Sequence, residues 1–337
     1  EFRRVLFRSL DDRRQRPRKR ILNIIRDIDI EEQLAKLRTL QIQGRWLEWT
    51  DVMNGDLSWR RLIHGLDDAE LRFTLQVITN TAPTPDNLRR WGQSTIDPAC
   101  NLCGRPCTLR HVLNACSVAL RQGRYTWRHD SVLGVLRRHL LRFWSSLQRE
   151  PRAPSDARFI RFVRPLENRS APPSVPSHPR RPLPFSDALR CATDWEFRFD
   201  IGMTQTDLFP PEIAVTLQRP DIVIFSRSKR QVILVELTIP LEDRVAQANE
   251  RKQRRYADLL SKCEENGWHA THFPVEVGCR GFVAFSLVRC LRDLGFPRCW
   301  AKRVRTECSR VALRCSYLLY LRRAIPEWSS MAILDTS

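Results

Sequence analysis

Asp221 and Glu236 are placed by the sequence where two carboxylates can act on one ion. Residues 221–225 (DIVIF) and 232–237 (VILVEL) are short runs of β-branched and large apolar side chains around a polar connection, residues 226–231, which predicts a β-hairpin. A hairpin symmetric about the midpoint between Ser228 and Lys229 sets Asp221 opposite Glu236. Directly opposed residues hold their Cβ atoms about 4.5–5.5 Å apart. Two carboxylates so placed repel unless a cation lies between them or one takes a proton. Oxygen ligands suit Mg²⁺ or Mn²⁺, and such an ion activates water and stabilises charge developing on a phosphate. The alternative makes Asp221 a turn residue after Pro220 and Glu236 a strand-end charge facing water.

The next segment adds a cation. Residues 241–263 carry Val245, Ala248, Lys252, Tyr256 and Leu259 at spacings of three and four, the period of one helix face. Lys252 therefore lies on an apolar stripe, where it needs a partner or must reach for the edge. Arg251, Arg254 and Arg255 read more simply as a solvated or phosphate-facing side.

Arg219-Pro220-Asp221, fourteen intervening residues and Glu236 resemble the PD-(D/E)xK nucleases, and in particular the restriction-like endonuclease of R-two-type non-LTR retrotransposons. The general pattern puts lysine two residues after the glutamate, where this chain has Thr238. The retrotransposon branch puts it on the following helix as Lys-x-x-Lys-Tyr, here Lys252-Gln253-Arg254-Arg255-Tyr256. Arginine at the second position keeps the charge but does not readily lose a proton. The resemblance implies an α/β nuclease with helices on a mixed sheet, Asp221 and Glu236 holding Mg²⁺ (or Mn²⁺), and Lys252 beside the scissile phosphate. It also implies a further acidic ligand on the first helix, for which Asp194, Glu196 and Asp200 are candidates.

A second constellation is Cys100-x2-Cys103-x7-His111-x4-Cys116. Two thiolates two residues apart grip one ion from a single knuckle, and a histidine and a cysteine on the next short element complete a tetrahedron. Four protein ligands leave no position for water, so the expected ion is structural Zn²⁺. Cys107 is a spare thiol able to compete as ligand. The alternative is a set of reduced free thiols. The spacing is similar to the CCHC knuckle that the same retrotransposons carry before their endonuclease. Residues 121–133 (RQGRYTWRHDSVL) then interleave cations with rings, a mixture suited to phosphate contact and base stacking. Arg124, Tyr125, Trp127, Arg128 and, from the later helix, Arg255 are the expected nucleic-acid contacts. In the alternative, the rings pack on the knuckle and the arginines face solvent.

The elements that position these groups divide the chain. Residues 1–20 are basic; Glu1-Phe2 and the arginine-rich run after it read as a cloning or library remnant, and residues 1–10 are set aside. Residues 21–95 form a helical linker: one helix from 21 to about 50 with Ile30, Leu34, Leu37 and Leu40 on a face, the rings of Trp46, Trp49 and Trp59 as core, a helix over 69–78, and a helix capped by Thr84 with Pro85 in its first turn. The knuckle occupies 96–120 and a basic-aromatic segment and helix 121–150. Residues 151–184 hold nine of the chain's 21 prolines and read as a flexible hinge that lets the knuckle and nuclease reach different parts of a substrate. The endonuclease spans 185–323, with a first helix over 186–197, strands over 199–202 and 273–277, and helices over 282–294 and 299–323; residues 324–337 are a tail.

Composition agrees with a polyanionic partner: 57 Lys and Arg stand against 38 Asp and Glu, a formal charge of +19 in 337 residues. No apolar run approaches the ~18 residues of a membrane span, and no polymerase signature is present. The chain thus reads as the C-terminal piece of a retrotransposon polyprotein. It is expected in the nucleus, with target DNA, element RNA and the polymerase domain of the same polyprotein as partners and no membrane. Its implied role is to nick target DNA so that the polymerase primes on the released 3′ hydroxyl. Two rivals remain: a non-catalytic nucleic-acid-binding module on a decayed nuclease fold, and a junction-resolving nuclease.

Overall fold

The computed structural model describes residues 17–40, 42–49, 52, 65–149, 187–202 and 209–329. Trp59 and the proline-rich hinge of residues 151–184 lie outside them. The chain opens with helix α1 (Pro17–Thr39) and a short turn, Arg45–Glu48, where a single helix over 21–50 was expected; Gly44 closes the corner, approaching the Leu37 and Leu40 carbonyls where a side chain would collide. Helix α2 (Asp68–Ile78) is capped by Asp67 and helix α3 (Pro85–Arg90) by Thr84, each accepting the N–H three residues on. The knuckle, a one-turn wide helical segment at His111–Ala115 and helix α4 (Ser117–Arg121) lead to the 26-residue α5 (Arg124–Arg149). α5 therefore takes in most of the basic-aromatic segment, placing its side chains by the helical period.

Strands β1 (Glu196–Phe199), β2 (Ile222–Ser226) and β3 (Gln231–Thr238) form an antiparallel meander. Helix α6 (Val245–Glu265) then crosses over to β4 (His269–Glu276), which lies parallel to β3, and helices α7 (Phe285–Asp293) and α8 (Arg298–Leu321) follow. The result is a mixed α/β fold with a four-stranded mixed sheet, order β1-β2-β3-β4, flanked by helices. No helix among the described residues is long and apolar enough to cross a membrane.

The sheet is buried on both faces, so its two central strands run apolar over Ile222–Phe225 and Val232–Val235, with polar residues at their ends. Ile222, Ile224, Ile233, Val235 and Leu237 face a core shared with α5, α7 and α8, while Val223, Phe225, Val232 and Leu234 face Tyr256, Leu259 and Cys263 of α6. Each such side chain contributes about 1.5–3 kcal/mol on burial. The first of these cores is continuous from the knuckle (Cys100, Leu113, Cys116) through Leu133 and Leu136 of α5 to the sheet and α8. The described residues of the Cys/His segment and of the sheet thus share one core.

Among the described residues 187–197 the expected helix over 186–197 does not form. Residues 188–190 make a single tight turn, and Glu196-Phe197-Arg198-Phe199, which alternates charge and ring at the period of a strand, pairs along the edge of β2. The Trp49 ring packs edge-on against Phe282 and under the Arg280 guanidinium, joining the linker to the loop after β4.

Candidate functional site

Pairing of Ile222 with Val235 and of Ser226 with Gln231 gives the β2–β3 hairpin the register of a symmetric four-residue turn, so Asp221 falls beside Glu236. The Asp221 N–H donates to Glu236 Oε2 at 3.2 Å, and Asp221 Oδ2 accepts the Leu237 N–H at 2.7 Å. Period two puts Glu236 on the α6 side of the sheet, with Val232 and Leu234. There Lys252 forms an ion pair with Glu236 Oε1, and the Tyr256 hydroxyl donates to Glu236 Oε2 at 2.9 Å. The lysine on the apolar stripe finds its partner in this way, on a side chain only 15% exposed.

Burial raises the pKa of Glu236, and the charge of Asp221 raises it further, against the opposing pull of Lys252 and Tyr256. Thr238, in the position where the general nuclease pattern has lysine, has a buried hydroxyl with no hydrogen-bond partner. Asp221, Glu236 and Lys252 come together at one end of the sheet, beside a cleft of about 520 Å³ whose lining includes Lys252, Thr238 and the arginines 110, 244 and 251. The last three are exposed. The hard oxygen donors at this point are the carboxylates of Asp221 and Glu236, with the Lys252 ammonium and the Tyr256 hydroxyl bonded to Glu236.

His129 and Asp130 were not legible as part of this site. His129 reaches from α5 to Asp221 Oδ2 with Nε2 at 3.2 Å, and its Nδ1 lies 3.0 Å from Asp130 Oδ1. Burial disfavours the charged ring, but hydrogen bonds to Asp130 and Asp221, and their charges, push its pKa up to about 10. Their only mark in the sequence is a place in the basic-aromatic segment, 92 residues from Asp221.

Of the three candidates for a further acidic ligand, two lie at the far end of the hairpin and one beside Asp221. Asp194 accepts from Ser226 and Ser228 and closes the hairpin turn, at the far end of β2. Glu196 pairs with Arg227 at the same end. Asp200 is bound by Arg219 at 2.8 Å and its N–H donates to the Asp221 carbonyl, which brings its backbone near the site while its carboxylate is taken.

Cys100, Cys103, His111 and Cys116 converge with all four ligand atoms within 4.8 Å of one another. The Cys100 and Cys116 sulfurs are 4.0 Å apart, and the Cys103 sulfur is 3.2 Å from His111 Nε2. A tetrahedral ion with bonds of about 2.3 Å to sulfur has ligand–ligand edges of roughly 3.8 Å. This cluster can therefore hold a metal ion such as zinc. Burial and the charge of Arg105 lower the pKa of His111, which keeps it in the neutral form that ligates. Cys107 stands outside the cluster, its thiol pushed up to about 12 by burial and the neighbouring Cys100.

Two of the expected nucleic-acid contacts are turned inward. Arg124 is 2% exposed and donates to the carbonyls of Arg322 (2.9 Å) and Ile325 (2.6 Å), tying the end of the described chain to α5. Arg128, equally buried, donates to Asn114 Oδ1 at 2.6 Å and Ser316 Oγ at 2.9 Å. Both lie on the face of α5 that packs against the rest of the protein, and Arg128 also lines the floor of the cleft beside Lys252. Tyr125 serves the knuckle: its hydroxyl accepts the Cys116 N–H at 3.1 Å and sits 3.0–3.1 Å from the His111 and Val112 carbonyls. Trp127 packs edge-on against Trp328, and Arg255 is exposed on α6.

No protein-family model matches the chain, and no curated protein matches it.

Proposed function

We propose that the chain is a metal-dependent DNA endonuclease of the PD-(D/E)xK kind, and that it serves an R-two-type non-LTR retrotransposon by nicking target DNA for target-primed reverse transcription. The observation that carries this reading is the meeting of Asp221, Glu236 and Lys252, drawn from a strand entry, a strand and a helix, at a cleft edged by arginines. Asp221 and Glu236 would hold Mg²⁺ or Mn²⁺, which supplies a water activated for attack and charge stabilisation at the phosphate. Lys252 and Tyr256 orient Glu236, and Lys252 also offers its ammonium to charge developing on the phosphate. Arg110, Arg244, Arg251 and Arg255 give the strand a phosphate track beside the site. The Cys₃His cluster holds Zn²⁺ as a structural ion, since all four positions are protein ligands. In the same reading, element RNA and the polymerase domain of the polyprotein are further partners, and the site of action is nuclear.

Supercoiled plasmid incubated with the protein and Mg²⁺, with and without EDTA and beside Asp221→Ala, tests this. Conversion to nicked circles that needs both the metal and Asp221 is the expected result. Equal DNA retardation by both proteins with no nicking by either, in a longer chain that includes the polymerase domain, would replace it with a nucleic-acid-binding module.

A further inference from the structure

We propose that His129 is a positioning residue for Asp221, and that the Cys₃His knuckle delivers it. This rests on the reading of Asp221 and Glu236 as a divalent-cation site. Asp221 stands just before β2, held by its main chain but outside the strand, so its side chain needs an external restraint. Two donors converge on a single carboxylate oxygen, Oδ2: the Leu237 N–H and His129 Nε2. That arrangement fixes the rotation of the carboxylate and leaves Oδ1 outside both hydrogen bonds. Asp130, on the other ring nitrogen, fixes the imidazole in turn and offsets its charge, so the pair orients Asp221 without adding a net cation. Carboxylate–histidine pairs of this sort, one step removed from the metal, commonly determine how well a ligand is presented.

The knuckle sets where α5 lies. Tyr125, one turn before His129, is bound at its hydroxyl by the main chain on either side of the cluster, at His111, Val112 and Cys116. Asn114, between two of the cluster's ligands, accepts from Arg128 and donates to the Ile239 carbonyl just beyond β3. The metal cluster is thereby connected to both sides of the carboxylate pair, and the knuckle acts as part of the scaffold of the site.

The test is Mn²⁺ binding to the zinc-loaded protein, followed by electron paramagnetic resonance of free Mn²⁺ at pH 7.5, for wild type, Asp221→Ala, His129→Ala and His129→Gln, with thermal melting of each. Wild type should bind an ion that Asp221→Ala loses. His129→Ala should bind it about 10- to 100-fold more weakly, at a melting temperature near wild type. His129→Gln, whose amide donates to the same oxygen, should recover most of the affinity. Unchanged affinity in His129→Ala overturns the proposal. So does equal weakening in both His129 variants with a matching loss of melting temperature, which marks a packing role alone. Absence of any Asp221-dependent Mn²⁺ binding in wild type removes the cation site itself, and the role of His129 with it.

Discussion

Replacing Arg124 with methionine separates two uses of a cation, phosphate contact and internal tie. The guanidinium is buried against α5 and donates to the Arg322 and Ile325 carbonyls at 2.9 and 2.6 Å, with a longer contact to Pro326 at 3.3 Å and its plane over the Trp328 ring at 5.0 Å. A hydrogen bond from a charged donor nets about 1.5–3 kcal/mol, and a cation over an exposed ring adds about 0.5–1 kcal/mol. Methionine keeps the packing of the aliphatic stem, so the loss is polar. The two bonds to the Arg322 and Ile325 carbonyls and the ring contact sum to about 3.5–7 kcal/mol; the third bond, from Nε to Gln122 Oε1 at 2.7 Å, goes to a half-buried amide that water can serve instead. Ile325 and Pro326 are exposed, and water replaces part of what their carbonyls lose, which brings the expected cost to about 3 kcal/mol. For a body of this size each kcal/mol moves the melting temperature by about 2–4 °C, so differential scanning fluorimetry should record a fall of about 6–12 °C. DNA binding measured against salt supplies the other half. Each lost phosphate contact flattens the slope of log K against log salt by about 0.9, and Arg124→Met should leave that slope unchanged. A melting temperature within about 2 °C of wild type, together with a slope flatter by about one, would refute the argument from burial.

If the proposed nuclease reading holds, Lys252→Met should lower nicking by at least about 100-fold, since the ammonium is paired with Glu236 and would meet the developing charge; single-turnover cleavage of a labelled duplex measures it, and a loss below threefold would dismiss Lys252 from the chemistry. Zinc removal should unfold more than the knuckle, because cluster and sheet share one core: chelation should lower the single melting transition of the whole described body, and a separate transition for the knuckle would contradict this. His272 gives a pH dependence. Burial, and then the charge of Lys252, push its pKa down to about 4 from the ordinary 6.5 of a free imidazole, so between those values the unfolded chain binds the extra proton. Its contribution is complete above about pH 6.5 and is lost as the pH falls toward 4. The melting temperature should therefore fall less steeply from pH 6.5 to 5 in His272→Phe than in wild type; parallel curves would show that the imidazole is not held neutral.

Local periodicity made much of this protein legible. Residues 221–237 state their own pairing, because β-branched runs around a short polar turn admit few registers, and a one-residue slip would put Glu236 on the opposite face of the sheet. Lys252 announced its partner by standing on an apolar stripe, where an ammonium must be neutralised. The cluster ligands followed from spacing, since residues with two or four others between them on short elements meet at one ion. The helix expected over 186–197 gives way to a strand because residues 196–199 alternate too briefly to outweigh their surroundings; the edge of β2 is what makes them a strand. Arg124 and Arg128 were misread for a related reason. Composition marks a cation as a surface residue, but only the packing of α5 against α8 and the tail decides that these two point inward. His129 lies at the extreme of this divide. It stands 92 residues from Asp221 with no repeat or spacing to join them, and only the continuous core between knuckle and sheet brings the imidazole to the carboxylate. The sequence by itself determined the chemistry carried on each element, because that depends on neighbours in the chain; the tertiary structure decided which elements share a site, because that depends on which apolar faces bury one another.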